Sequence, residues 1–89
     1  MMFSAEFSKE LTRKLEKLQK RNKVLFDVII DKIRGIKENP EHYKPLRHDM
    51  KGLRRVHIMK SFVLIFRIDY ASNKIIFEDF DHHDEIYRR

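Results

Sequence analysis

The apolar residues of this chain change their spacing once, and that change limits the folds open to it. From Leu11 to Ile36 they recur at steps of three and four, which lines one face of a helix. Beyond Gly52 they gather instead in short strand-like runs, "LRRVHI", "FVLIFRID" and "KIIFEDFD". The stretch between, "ENPEHYKPLRHDMKG", holds Pro40, Pro45 and Gly52 and reads as a loop, with Leu46 as its anchor to the core. Helices must then cover one face of a sheet. The expected class is α+β, in a single domain spanning residues 1–89.

The order of elements follows from local chemistry. Phe3, Ala5 and Phe7 alternate with Met2, Ser4 and Glu6, which predicts a short opening strand. Ser8 offers an oxygen to the exposed amides of a helix start, and the helix runs to about Lys20. Leu11, Leu15 and Leu18 face inward there, with Arg13, Lys14, Lys17, Lys20 and Arg21 on the opposite face. Asn22 ends this helix or caps a second, whose stripe is Leu25, Ile29, Ile33 and Ile36 and which Asn39 and Pro40 terminate. So short a break predicts an antiparallel helical hairpin. "MKS" and "YASN" have hairpin lengths, so the three later strands form an antiparallel meander.

The chain has no cysteine, which removes disulfides, thiolate nucleophiles and cysteine-based zinc sites. Its start lacks the pattern of a secretory signal, and "FVLIF" is too short to span a bilayer, so a cytoplasmic protein without membrane contact is expected. The net charge of +6 is unevenly placed: residues 1–60 hold 16 Lys and Arg against 8 Asp and Glu, whereas residues 61–89 hold 4 against 6. A basic body suits a polyanion approached from one side, although lysines on a helix commonly present only a solvated face.

In a meander the first and third strands run the same way, so their C-terminal ends share one edge of the sheet. His57 lies near the end of the first, and His82 and His83 lie just past the end of the third. Across the intervening strand this predicts a separation of roughly 10 Å. Val56 and Ile58 must face the helices, which leaves Arg55 and His57 on the open face, with Lys44, Arg47, Lys51 and Arg54 nearby. Histidine exchanges protons near neutral pH. Cleaving RNA at a phosphodiester requires a base for the 2′-hydroxyl, an acid for the 5′-oxygen and positive charge for the phosphorane.

The candidate catalytic residues are therefore His57, His83 and Tyr87, with Arg54, Arg55 and Lys51 supplying charge. Phe62 opens the middle strand at the histidine edge. The closing "HHDEIYRR" reads as the exit of the third strand, with Arg88 and Arg89 placed for RNA backbone. Adjacent residues of a strand point to opposite faces, so His82 and His83 are poorly placed to share an ion, and no metal or other cofactor is expected. Each residue also has a plainer reading. A strand histidine is more often a hydrogen-bonded structural group, a tyrosine often covers a sheet edge, and Asp81, Asp84 and Glu85 are solvated carboxylates or partners of the imidazoles.

The order strand, helical hairpin, meander, with "KPL", "KGLRRVHI", "SFVLIFRID" and "DHHDEIY", resembles the RelE/ParE superfamily of small toxins from toxin–antitoxin pairs. The stretch "HIMKSFVLIF", followed by a histidine and an aromatic four residues later, is most similar to the YafQ-like mRNA endoribonuclease branch. The resemblance implies a metal-independent endoribonuclease that cuts mRNA in the ribosomal A site. Its partners would be the ribosome, mRNA and a RelB-like antitoxin in a hetero-oligomer. His57 matches the branch histidine ending the second strand, His83 the late histidine central to proton transfer, and Tyr87 the aromatic after it. Phe62 stands where the branch has tryptophan, Lys44 where it has histidine and Ser61 where it has aspartate. Relative to RelE proper, Val63 and His83 replace arginines, which points away from an arginine-centred site.

Two other classes remain open: a ParE-like toxin that poisons DNA gyrase without hydrolysing anything, and a decayed homologue that only binds an antitoxin. Loss of translation on expression marks the nuclease, a DNA damage response with filamentation marks the gyrase poison, and harmlessness marks the third.

Overall fold

The computed structural model describes residues 3–45 and 52–88. Strand β1 (Ser4–Phe7) leads into α1 (Lys9–Arg21) and α2 (Lys23–Glu38), and then β2 (Leu53–Ile58), β3 (Phe62–Asp69), β4 (Lys74–His82) and the short α3 (His83–Tyr87). β2, β3 and β4 form the expected antiparallel meander. β1, for which the sequence predicted no neighbour, adds in parallel beside β4, giving the order β1-β4-β3-β2. Among the described residues no helix is long and apolar enough to cross a membrane.

Ser8 joins the sheet to the helical layer. Its amide donates to the Phe77 carbonyl at 3.0 Å. Its hydroxyl donates to the Glu78 carbonyl at 2.6 Å and accepts from the Leu11 amide at 3.0 Å, which caps α1. Asn22 does the same for α2, its side-chain oxygen accepting from the Leu25 amide at 3.2 Å. The helices then bury Leu11, Leu25, Ile29, Ile33 and Ile36 against Val56, Ile58, Leu64, Phe66, Ile75, Phe77 and Phe80. The loop after α2 is more ordered than its composition suggested: Pro40–His42 makes one 3₁₀ turn. Proline is favoured at such a start because it has no amide to satisfy. The expected anchor Leu46 lies outside the described residues.

Lys14 is not on the solvated face. It reaches the part of β4 that lies beyond the pairing with β1, where its ammonium meets Asp79 at 2.8 Å, Asp81 at 2.9 Å and the Phe80 carbonyl at 3.0 Å. Burial pulls its pKa down, but hydrogen bonds to Asp79 and Asp81 outweigh that and raise it above 10.5. While Asp79 and Asp81 are ionised, the stabilisation is therefore fully present up to pH 10.5 and is lost as pH rises through the raised Lys14 pKa. Lys14→Met leaves the buried Asp79 carboxylate without this cation and should cost about 2 kcal/mol in urea unfolding. Adding Asp79→Asn should recover part of that loss, and purely additive costs would show that the pair is not coupled.

One irregularity decides which face the late residues occupy. Ile65 pairs with Asp79, but Phe66 pairs with Phe77, so Glu78 is an extra residue in β4. Ile75 and Phe77 face the helices before this bulge, and Phe80 does so after it. Without the extra residue, strand alternation would have put Phe80 on the open face.

Candidate active site

The same bulge decides which of the two adjacent histidines faces the helices. His82, the last residue of β4, pairs with Phe62 and meets its ring edge-on at 5.8 Å on the helix face. It also caps α3, its Nδ1 accepting from the Asp84 amide at 3.3 Å. His83 begins α3 instead of continuing a strand, which corrects the expected strand exit. Its amide donates to the Ser61 carbonyl at 2.7 Å, so the chain turns back over the β2–β3 turn.

That turn closes the distance to His57. The two imidazoles lie 5.7 Å apart between ring centroids with planes 25° from parallel, closer than the separation predicted from strand spacing alone. Tyr87 follows His83 by one helical turn, so their rings meet at 4.6 Å. Beneath them the fully buried Ile86 packs with Val63 and Ile65 in a second apolar cluster, joined by Leu53 and Tyr87. α3 is thus held down mainly by Ile86, with Tyr87 packed beside it, while Asp84 and Glu85 face outward. Asp84 Oδ1 lies 3.5 Å from His83 Nδ1. Each imidazole can reach about 2.6–3.2 Å to an oxygen, so the pair can serve two oxygens of one phosphate.

The positive residues divide. Arg55 and Lys44 share a groove with His57, and the Arg55 amide donates to the Lys44 carbonyl at 3.0 Å. Arg54 was expected near the open face but alternates with Arg55: it pairs with Phe66 and its Nη1 donates to the Tyr43 carbonyl at 2.7 Å. Phe62 likewise lies on the opposite face from His57, stacked on Phe80 at 5.2 Å and packed against the main core. Strand parity separates both from the histidine cluster. Arg88 is exposed beyond α3 and pairs with Glu85 at 3.2 Å. Arg47, Lys51 and Arg89 lie outside the described residues.

His42 and Tyr43, which the sequence reading did not single out, line the groove beside His57. They sit in a stretch without periodicity, where the 3₁₀ turn and the packing of Tyr43 on Phe66 fix their direction. The Ser61 carbonyl was also not legible, because a backbone acceptor has no residue signature. Among the described residues no three histidine, aspartate or glutamate side chains gather as metal ligands would.

Comparison with known proteins places the fold and the family. A candidate toxin, RelE4, of Methanocaldococcus jannaschii is 47% identical over 88 residues, covering 99% of this chain and 94% of that one. An uncharacterized protein of Methanosarcina mazei is 48% identical over 86 residues, covering 97% and 100%. Among solved structures, the YoeB/ParE toxin from Agrobacterium tumefaciens superposes with a TM-score of 0.80 at 19% identity, covering 91% of this chain and 99% of that one. The toxin–antitoxin complex DinJ–YafQ of Escherichia coli gives 0.77 at 19% identity, covering 98% and 99%. The fold is that of these toxins. Residues 5–87 match the sequence profile of the ParE toxin of the type II toxin–antitoxin system parDE, and the chain belongs to this family within the RelE/ParE superfamily.

Proposed function

We propose that this toxin is a metal-independent endoribonuclease that cleaves mRNA in the ribosomal A site and so stops translation in the cytoplasm. The observation that carries this reading is the row of His57, His83 and Tyr87 beside Lys44 and Arg55, with the two imidazoles stacked, on the sheet face opposite the helical hairpin. In the proposed reaction one imidazole takes the 2′-hydroxyl proton and the other protonates the departing 5′-oxygen. The 2′-oxygen forms its bond to phosphorus as the 5′-oxygen leaves, giving a 2′,3′-cyclic phosphate and a free 5′-hydroxyl. Lys44 and Arg55 stabilise the added negative charge, and Tyr87 positions the phosphate or an unstacked base.

Ribosomes programmed with a defined A-site codon provide the test. Primer extension should reveal cleavage by the wild-type protein, and protein treated with EDTA before it meets the ribosomes should cleave equally well. A protein that arrests growth but leaves this mRNA whole would overturn the reading.

A second reading is a gyrase poison, favoured by the match of residues 5–87 to the ParE profile. A toxin that acts only by binding has no need of proton-transfer groups aligned at one sheet edge. Expression in cells separates the two: the nuclease depletes translation first, and the gyrase poison induces the DNA damage response first.

The antitoxin is proposed as an acidic, partly disordered chain that orders over the basic face. The DinJ–YafQ and Mycobacterium tuberculosis RelBE2 structures are both toxin–antitoxin complexes. With a toxin of net charge +6, the affinity should fall as salt rises from 50 to 500 mM, roughly an order of magnitude or more. An affinity flat across that range in calorimetry would assign the docking to apolar contacts.

A further inference from the structure

Along the outer edge of β2 runs a groove of about 190 Å³, lined by His42, Tyr43, Lys44, Arg55, Val56 and His57. Its wall is fixed before any ligand arrives. Tyr43 sets its ring edge-on against Phe66 at 5.9 Å, and its carbonyl accepts from Arg54 at 2.7 Å. The Lys44 carbonyl accepts the Arg55 amide at 3.0 Å, and Pro45 makes an antiparallel bridge to Arg54. Residues 43–45 are thereby pinned along the edge of β2.

His42 projects from this fixed stretch. It is exposed and stands perpendicular to Tyr43, with ring centroids 5.2 Å apart. Tyr43 is committed to the core, whereas His42 contributes little there. An exposed aromatic ring, two cations and a neighbouring proton-transfer histidine suit one nucleotide: the base stacks on the ring, and the cations hold its phosphate.

We infer that this groove binds a nucleotide adjoining the scissile bond, its base on His42 and the scissile phosphate itself between Lys44 and Arg55. The inference rests on the nuclease reading and deepens it by making His42 a positioning residue that aligns the RNA with His57. The stacking contact is tolerant of base identity, so His42 should set affinity more than codon choice.

Cleavage of programmed ribosomes by wild type, His42→Ala, His42→Phe and Lys44→Gln provides the test, read as kcat and half-saturating ribosome concentration. His42→Ala should raise the half-saturating concentration about tenfold with kcat changed far less, and His42→Phe should restore it, because phenylalanine keeps a stacking face. Lys44→Gln should also weaken binding and make it less steeply dependent on salt. Unchanged half-saturation for His42→Ala in an assay where the wild type cleaves would overturn the inference alone. Equal weakening by His42→Ala and His42→Phe would overturn the stacking role. No cleavage by the wild type would overturn the nuclease reading itself.

Discussion

His83→Ala should reduce cleavage on programmed ribosomes by about 10²- to 10⁴-fold, the usual contribution of a positioned acid or base. The fold should survive, because the strongest tie of residue 83 is the bond from its own amide to the Ser61 carbonyl, which alanine keeps. His82→Ala is the informative partner. His82 lies against Phe62 on the helix face, so its loss should change cleavage by only a few fold. Its capping bond to the Asp84 amide is long, at 3.3 Å, so the loss in stability should also be small, about 0.5–1 kcal/mol. If His82→Ala were instead the inactive variant and His83→Ala active, the role of the β4 bulge in assigning the two histidines to their faces would be wrong.

That contrast also marks the limit of what could be read in the sequence. The strands β2 and β3 begin and end where alternation and hairpin spacing put them, and Ser8 and Asn22 cap the helices as their side chains allow. Such features depend on residues close in sequence, whose preferences act independently of the rest of the chain. The bulge at Glu78 does not. Nothing in "IIFEDFD" distinguishes an inserted residue from a regular one until β3 supplies a register. Lys14 was misread for a related reason: its face depends on Asp79 and Asp81, which lie far along the chain. His57 and His83 were correctly brought to one edge by the topology, but their approach to 5.7 Å depends on α3, whose five residues fall below the length at which helical periodicity is visible. Arg54 and Phe62 are different, since their alternation with Arg55 and with Val63 was already present in the strands as drawn. Nearness to the sheet edge groups them with the histidines, but strand parity decides their face.

Ile86→Ala should abolish most activity without unfolding the domain. A five-residue helix has no stability of its own in water, so α3 exists because Ile86 is fully buried against Val63 and Ile65. Truncating it removes about 3 kcal/mol of packing, and the loss should fall mainly on α3, since the main core lies on the other face of the sheet. Once α3 undocks, His83 and Tyr87 no longer hold their places beside His57, and misplacement on the scale of an ångström can cost about 10²-fold in rate. Amide hydrogen exchange separates this outcome from general destabilisation. Protection should vanish at Arg88, whose amide bonds to the Asp84 carbonyl, while β3 and β4 retain theirs. Ile86→Val, which keeps most of the buried volume, should cost about 1 kcal/mol and leave cleavage nearly intact. Full activity in Ile86→Ala would mean that substrate alone can order the segment. The pre-formed row of rings would then not be the source of the rate.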